Sequence, residues 1–178
     1  MHAAALELLE DFGYETLQLS DVARRADVNK TTVYRRWPTK AALVVDLLAS
    51  FTTINVATPD VGSLQGDLEH LLTDIAQALT NRAVRAVLYG VLAGAEDRDD
   101  IRAAQDRFWE ERFRRSGAVV EKAGARGEIP MDTDPRAFLE MAGSPIYFRT
   151  LFTTDTVDAE YIAATARRTI RAFTADAN

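Results

Sequence analysis

The sequence predicts an all-α protein built from two unequal helical units. Apolar residues recur at the three- and four-residue spacing of amphipathic helices along most of the chain. Alternation with a period of two, which is typical of strands, is scarce. The stretch over 53–66 contains Pro59, Gly62 and Gly66, so it is predicted to be a loop between the two units. At 178 residues, the chain is long enough for one domain or two small ones.

The individual helices are predicted from their start and stop signals. Gly13 is suited to close the first helix, and Ser20 is suited to cap the second. Asn29 and Thr39 are the predicted N-caps of the third and fourth helices. A break over 127–134 precedes the eighth helix. The predicted helices span 3–12, 21–26, 30–37, 40–51, 64–80, 82–95, 99–124, 135–152 and 157–174.

The composition excludes several classes of functional site. The chain contains no cysteine, so disulfides, thiolate nucleophiles, iron–sulfur clusters and Cys-ligated zinc are excluded. Its two histidines, His2 and His70, are too few for a His-rich metal site or a Ser–His triad. We therefore expect no catalytic residue, no metal site and no cofactor.

The N-terminal residues and the hydropathy pattern predict where the protein is found. No apolar run approaches the ~20 residues needed to span a bilayer. The first residues include the acids Glu7, Glu10 and Asp11, where a signal peptide would have a basic stretch. We expect a soluble cytoplasmic protein with no membrane partner.

Basic residues are concentrated in one segment of a chain that is acidic as a whole. The net charge is −6, from 21 Lys and Arg against 27 Asp and Glu. The segment over 24–40 nevertheless has six basic residues against a single acid, Asp27. This asymmetry indicates a surface for a polyanion, although charge alone is equally consistent with a solvated helix face.

The second and third helices have the spacing of a helix-turn-helix motif over about 18–37. In this motif a short turn joins two short helices, and the second lies in the major groove of DNA. Val33 and Trp37 are four residues apart, so both can face the core and leave the polar side chains outward. Hydroxyl, phenol and cationic groups of this kind contact phosphates and base edges. The outward residues are Lys30, Thr31, Thr32, Tyr34 and Arg35.

Four motifs at fixed offsets give the N-terminal part a resemblance to a known family. They are F-G-Y (12–14), L-S-D-V-A-R-R-A (19–26), T-T-V-Y-R-R-W (31–37) and P-T-K-A-A-L (38–43). Through them the segment over 4–48, about a quarter of the chain, resembles the DNA-binding domain of the TetR family of bacterial transcriptional regulators. The resemblance implies a homodimer on a near-palindromic, double-stranded operator, and a C-terminal helical domain with the dimer interface and usually a small-molecule pocket.

The resemblance also assigns the DNA contacts. Base and phosphate contacts fall on the five outward residues of the third helix. Ser20 and Lys40, at the starts of the second and fourth helices, are implied to contact phosphates, and a helix N-terminus suits this role. The sequence departs from the family at Asp27, where Gly is usual, but Asp tolerates left-handed backbone, so we expect the turn to be kept. Family members often have a basic arm before the first helix, and here that helix begins almost at Met1, so no arm contact is assigned.

The full prediction is a helix-turn-helix DNA-binding domain over 1–50 and a helical effector-binding and dimerisation domain over 51–178. Apolar residues of the eighth helix step by three and four, as in a helix-packing seam. The eighth and ninth helices of two subunits can form a four-helix bundle across a two-fold axis. The alternative is that both helices pack in a monomeric core. The predicted interface residues are Phe138, Pro145, Phe148, Phe152, Ile162, Ala166, Ile170 and Phe173.

A ligand pocket is expected among the apolar helices between the loop and this seam, although plain core packing is the alternative for each residue. No cluster of charges among these helices marks a strongly ionic ligand. The charge-rich stretch over 110–115 is expected to form ion pairs in solvent rather than to take part in catalysis. The candidate pocket residues are Leu68, Leu72, Ile75, Leu88, Leu92, Phe108, Trp109, Phe113 and Met141.

These observations predict a dimeric, sequence-specific DNA-binding regulator, a repressor that a small and largely apolar ligand releases from a palindromic operator. The alternative is a helical binding protein or enzyme for an apolar metabolite without specific DNA binding. The sequence has no metal-binding His pair, no Gly-rich phosphate loop and no nucleophile beside a base, which argues against an enzyme. A regulator of the same fold that has lost its ligand or activates transcription is not distinguished by sequence.

Overall fold

A computed structural model of the chain describes residues 1–55, 58–94 and 99–175, apart from the side chains at 48, 51–55, 90–94, 100, 101, 104 and 175. In these ranges all regular secondary structure is helical, which confirms the predicted all-α class. The helices are α1 (His2–Thr16), α2 (Leu19–Arg25), α3 (Lys30–Arg36), α4 (Lys40–Asn55), α5 (Leu64–Thr80), α6 (Arg82–Gly94), α7 (Asp99–Ala125), α8 (Pro135–Phe152) and α9 (Ala159–Ala175).

Contacts between the helices divide the chain into two compact units. The N-terminal unit comprises Met1–Thr53 and Asn81–Trp109, and the C-terminal unit comprises Ile54–Thr80 and Glu110–Asn178. Helix α6 packs against α1 within the N-terminal unit, where the guanidinium of Arg82 donates to the carbonyl of Glu10 at 3.0 Å. The predicted domain boundary near residue 50 did not anticipate this packing of α6, and it stays a prediction.

A shared apolar core fixes the first four helices of the N-terminal unit. Each of the four helices contributes one or two fully buried side chains to this core. They are Leu9, Val22, Val33, Leu43 and Leu47. Burial of each such side chain contributes about 1.5–3 kcal/mol. Because α2 and α3 are only seven residues long, this packing, and not their intrinsic helix stability, holds them in place.

One predicted helix start needs correction. Ser20 is not the N-cap of α2, because the helix already begins at Leu19, whose buried side chain belongs to the core, and Gln18 holds the cap position.

The predicted role of Gly13 is confirmed. Its φ of 78° lies outside helical geometry, so the first continuous part of α1 closes there, and one further turn beyond the kink continues to Thr16.

The C-terminal unit is built around α5, α8 and α9, which pack against one another. Leu68 and Leu72 of α5 and Phe138 and Ile146 of α8 are fully buried there. The predicted break over 127–134 is confirmed, since α7 ends at residue 125 and α8 begins at residue 135. The carboxylate of Asp134 caps α8 by accepting from the N–H of Arg136 at 2.9 Å.

Candidate nucleic-acid interface

The helix-turn-helix consists of α2, a tight turn and α3. Asp27 in the turn has a φ of 51°. This is the left-handed conformation that the family's usual glycine would adopt, so the expectation that Asp preserves the turn is confirmed. The N–H of Val28 donates to the carbonyl of Ala23 at 3.0 Å and closes the end of α2. Oδ1 of Asn29 then accepts from the N–H of Thr31 at 2.8 Å, so the predicted cap of α3 is also confirmed.

The inward face of α3 is defined by Val33 and Trp37, as predicted. Val33 is fully buried and Trp37 is 2% exposed. The indole Nε1 of Trp37 donates to Oδ2 of Asp46 on α4 at 2.9 Å. The buried indole is therefore fixed both by packing and by a hydrogen bond, and with it the rotation of α3 about its axis.

Asp46 is the centre of a small network that sequence reasoning missed. The same Oδ2 atom lies 2.9 Å from Nε2 of His2 and 3.5 Å from a guanidinium nitrogen of Arg36. Partial burial raises the pKa of the Asp46 carboxyl, but the hydrogen bonds with His2 and Trp37 and the charges of His2 and Arg36 outweigh it. The pKa therefore lies below its ordinary value of 3.8. The network links α1, α3 and α4 behind the recognition helix.

The outward face of α3 presents most of the predicted contact residues to solvent. Lys30, Thr31 and Arg35 are exposed, Tyr34 is 48% exposed, and Thr32 is half-buried. Lys30 and Arg35 form no ion pair with any described residue. Arg36, by contrast, pairs with Asp46 and lies over the Trp37 ring at 4.7 Å. The cations available to a polyanion on this helix are therefore Lys30 and Arg35.

The other basic residues of the segment are occupied within the fold. Arg24 pairs with Asp21 at 2.9 Å, and Arg25 pairs with Glu7 of α1 at 2.9 Å. These pairs are exposed, so each contributes little to stability. Their effect is to place compensated charge on α2 and to leave uncompensated positive charge on α3.

Ser20 and Lys40, the two implied phosphate contacts, lie in the first turns of α2 and α4. Both are half-buried. The ammonium of Lys40 donates to the carbonyls of Tyr14 and Glu15 at 2.8 and 3.1 Å, and it lies 4.3 Å from the centre of the Tyr14 ring. These bonds use two of its three N–H groups, so Lys40 closes the C-terminus of α1 and retains one donor.

The predicted interface residues divide into three groups in the C-terminal unit. Phe148 and Phe152 are 62% and 65% exposed, and their rings stack with centroids 5.9 Å apart. Pro145, Ile170 and Phe173 are half-buried. Phe138, Ile162 and Ala166 are buried in the core of their own subunit, so they offer almost no surface to a partner and need to be removed from the predicted interface.

The predicted pocket residues are divided between the two compact units. Leu88, Phe108 and Trp109 belong to the core of the N-terminal unit. In the C-terminal unit the α5 candidates are buried, Phe113 is half-buried and Met141 is exposed, and the side chain of Leu92 lies outside the described residues. An open depression of about 480 Å³ on this unit is lined by threonines of α5, α8 and the loop after α8, and it contains none of the candidates. The α5 candidates are Leu68, Leu72 and Ile75.

One charged residue of the stretch over 110–115 is buried, although the whole stretch is expected to face solvent. Glu111 accepts bonds from Arg114 and Arg115 at 2.6–2.7 Å on the surface of α7, so those ion pairs match the predicted solvated face. Arg112 does not belong to that face, because it is only 8% exposed. The signal for this is its spacing from Phe108 and Ser116, which are buried four residues to either side.

Comparison with known proteins bears on both parts of the chain. Residues 2–47 match a family model described as bacterial regulatory proteins of the tetR family. Residues 58–169 match a second model, described as a tetracyclin repressor-like C-terminal domain. The second match alone covers more than half of the chain.

Relatives and solved structures agree with these matches. The chain is 30% identical to the HTH-type transcriptional regulator YdeS of Bacillus subtilis, over 90% of this chain and 81% of that protein. It is 31% identical to a protein of Mycobacteroides abscessus named DNA-binding transcriptional repressor TetR, over 83% and 78%. The structure of the TetR family transcription regulator SCO0332 matches with a TM-score of 0.79 and 26% identity, covering 95% and 93%. The relatives are named as regulators, which agrees with the expectation that the chain is not an enzyme.

Within the part of the chain that the structure describes, no helix has the length and apolarity that crossing a membrane requires.

Proposed function

Because the chain belongs to the TetR family and is a DNA-binding transcriptional regulator, we propose that it acts in the cytoplasm as a homodimer on a near-palindromic operator. The observation that supports this most strongly is the outward face of α3. Lys30 and Arg35 lie there exposed and without an ion pair among the described residues, while Val33 and Trp37 hold the opposite face in the core. A two-fold dimer would place two copies of α3 on half-sites about 34–36 Å apart.

The proposed DNA contacts combine base recognition with phosphate binding. Arg35 is the residue suited to a bidentate contact with guanine, and Tyr34 and the threonines of α3 can contact neighbouring bases or phosphates. Lys30, Ser20 and the remaining donor of Lys40 are suited to phosphates.

The proposed dimer surface includes the exposed end of α8. Phe148 and Phe152 are two large apolar side chains stacked on each other at the surface, where exposure to water is unfavourable. A two-fold contact would bring the same pair from both subunits together and bury all four rings. Half-buried Pro145 lies one turn before Phe148 on this helix.

The proposed mode of regulation is repression that a small ligand relieves. The relative from Mycobacteroides abscessus is named a repressor, and the C-terminal family model is described as tetracyclin repressor-like. Release requires that the ligand bind more tightly to the subunit arrangement that fits DNA poorly. We place the ligand in the region over 51–178, where the buried side chains are mainly apolar and support a ligand that is apolar over most of its surface.

Selection of bound sequences from a random DNA pool tests the core of this proposal. We expect the purified protein to enrich an inverted repeat, and sedimentation of the complex to give two subunits per operator. A well-folded protein that enriches no sequence at low salt contradicts specific DNA binding.

The substitution Phe148→Glu tests the dimer surface. A charge at this position would be buried against the partner, so we expect a monomeric variant that has lost operator binding although its N-terminal unit remains folded. Met131→Glu is the matched control, because Met131 is also an exposed apolar residue of the C-terminal unit. A variant at Phe148 that remains dimeric excludes this surface.

A further inference from the structure

Arg112 of α7 is a buried cation with an unused donor. Its side chain is 8% exposed, and the Nη2 group has no hydrogen-bond acceptor among the described residues. Arginine remains protonated in proteins, so the positive charge is present although burial lowers the pKa of the guanidinium. A buried donor or charge without a partner is rare in native structures, and it requires an acceptor from outside the chain, such as water, an ion or a ligand.

A second buried charge of the same unit shows what a satisfied site looks like. Asp67 of α5 is fully buried, and its Oδ1 accepts from the N–H of Val61 at 2.6 Å. Its Oδ2 accepts from the guanidinium of Arg126 at 3.3 Å. Both carboxylate oxygens of Asp67 are therefore compensated within the fold, whereas Nη2 of Arg112 is not.

The electrostatic surroundings of Arg112 select a singly charged partner. Desolvation and the charge of Arg115 disfavour its charged form, and the charge of Asp74 favours it. Asp74 forms no ion pair with Arg112 within 4.0 Å among the described residues, and Arg115 is already paired with Glu111. One guanidinium with a carboxylate in its vicinity suits a monoanion better than a dianionic phosphate.

The neighbouring groups are neutral and partly apolar. Burial raises the pKa of the Tyr147 phenol, so this group stays protonated. Thr150, one turn further along α8, has a hydroxyl that is buried without a partner among the described residues. On α7 itself, the positions one turn before and one turn after Arg112 are Phe108 and Ser116, and both side chains are buried. The surroundings of the guanidinium therefore include a protonated phenol and buried side chains of its own helix face.

We propose that Arg112 is the anchor for the carboxylate of a small ligand whose remaining surface is apolar. The planar guanidinium matches a carboxylate through paired N–H···O bonds, which a phenol or an amide ligand cannot form equally well. The inference deepens the proposed ligand-responsive function and rests on it, because the ligand would be the effector.

Calorimetric titration of the full chain without DNA tests this site. The probes are two carboxylates with their uncharged amides: decanoate with decanamide, and 1-naphthoate with 1-naphthamide. We expect the wild-type protein to bind at least one carboxylate about 10- to 100-fold more tightly than its amide, as for hydrogen bonds between charged groups. Arg112→Met is expected to abolish that preference, and Arg112→Lys to reduce it severalfold. Arg114→Met, which removes an exposed cation of the same helix, is expected to retain it.

Thermal unfolding of the unliganded variants separates ligand binding from a structural role. Methionine retains the apolar stem and removes the buried charge, so the midpoint for Arg112→Met is expected to equal or exceed that of wild type. A lowered midpoint without any carboxylate preference in wild type shows a structural residue and overturns the proposal. So do a preference that survives Arg112→Met, an unchanged preference in Arg112→Lys, or failure of a folded wild-type protein to bind either carboxylate at millimolar concentration. Operator binding is measured separately, so a failure of the proposed regulatory function leaves this result interpretable.

Discussion

The two helices α3 and α7 use arginine in opposite ways. Arg35 of α3 is exposed and forms no ion pair with the described residues, whereas Arg112 of α7 is buried with an unused donor. An exposed cation on a convex helix can approach a large polyanion, and a buried one can be reached only by a small anion. Under the two proposals made above, burial rather than residue type determines which partner each guanidinium can reach.

The two arginines differ in exposure because they occupy different positions relative to the buried face of their helices. Arg35 points outward because Val33 and Trp37 occupy the inward face of a seven-residue helix. Arg112 points inward because it occupies a position of the buried stripe that also contains Phe108, Ser116 and Val119. The following variants break or sharpen this contrast, from the largest expected effect to the smallest.

Trp37→Ala is expected to have the largest effect, because it removes the inward anchor of α3. Loss of a buried Trp costs about 3–5 kcal/mol of unfolding free energy, and here the hydrogen bond to Asp46 is lost as well. Denaturant unfolding followed by circular dichroism measures this change. Tyr34→Ala, on the outward face of the same helix, is the control and is expected to shift stability by less than about 0.5 kcal/mol. Equal effects of the two variants would contradict the assigned faces.

Arg35→Ala is expected to weaken operator binding by about 1–3 kcal/mol and to relax base preference at one position of each half-site. Stability is expected to be unchanged, because the side chain is exposed. Titration of the selected operator and of variants at each position measures both quantities. Arg102→Ala, at an exposed arginine of α7, is the control. Wild-type affinity in Arg35→Ala would show that the recognition face is wrongly assigned.

Asp46→Asn is expected to have the smallest effect, about 1 kcal/mol of unfolding free energy at neutral pH, since a neutral amide weakens the bonds with His2 and Trp37. The pKa of Asp46 is lowered in the folded state, so its stabilisation is present above the ordinary value of 3.8 and is lost as pH falls through the folded pKa. The substitution should therefore flatten the fall in stability below about pH 4. Unfolding curves between pH 2 and 7 test this, and an unchanged pH profile would count against the network.

The recognition helix was predictable from sequence because its signals are local. Val33 and Trp37 face the core as their spacing requires, and the caps at Asn29 and Thr39 form as predicted. The side chain of Ser20 suits a cap, but Leu19 is buried within the helix and α2 starts two residues earlier, with Gln18 at the cap position. At the N-terminus of α2, the burial of Leu19 therefore outweighs the capping preference of Ser20.

The C-terminal unit was less predictable because periodicity identifies buried residues without showing what covers them. Phe138, Ile162 and Ala166 are buried by neighbouring helices of the same subunit, and not by a partner. The charge-rich stretch over 110–115 predicts a solvated face, and Arg112 departs from it because its side chain is buried. The signal for this burial is its four-residue spacing from Phe108 and Ser116, which are also buried.

A crossed binding measurement tests the contrast between the two arginines most directly. Wild type, Arg35→Ala and Arg112→Met are each titrated with the selected operator and, separately, with the tighter-binding carboxylate. We predict that Arg35→Ala weakens operator binding and leaves carboxylate binding at the wild-type level, and that Arg112→Met does the reverse. A variant that loses both activities, or an Arg112→Met protein that still prefers the carboxylate over its amide, would contradict the assignment of one exposed site for DNA and one buried site for a small anion.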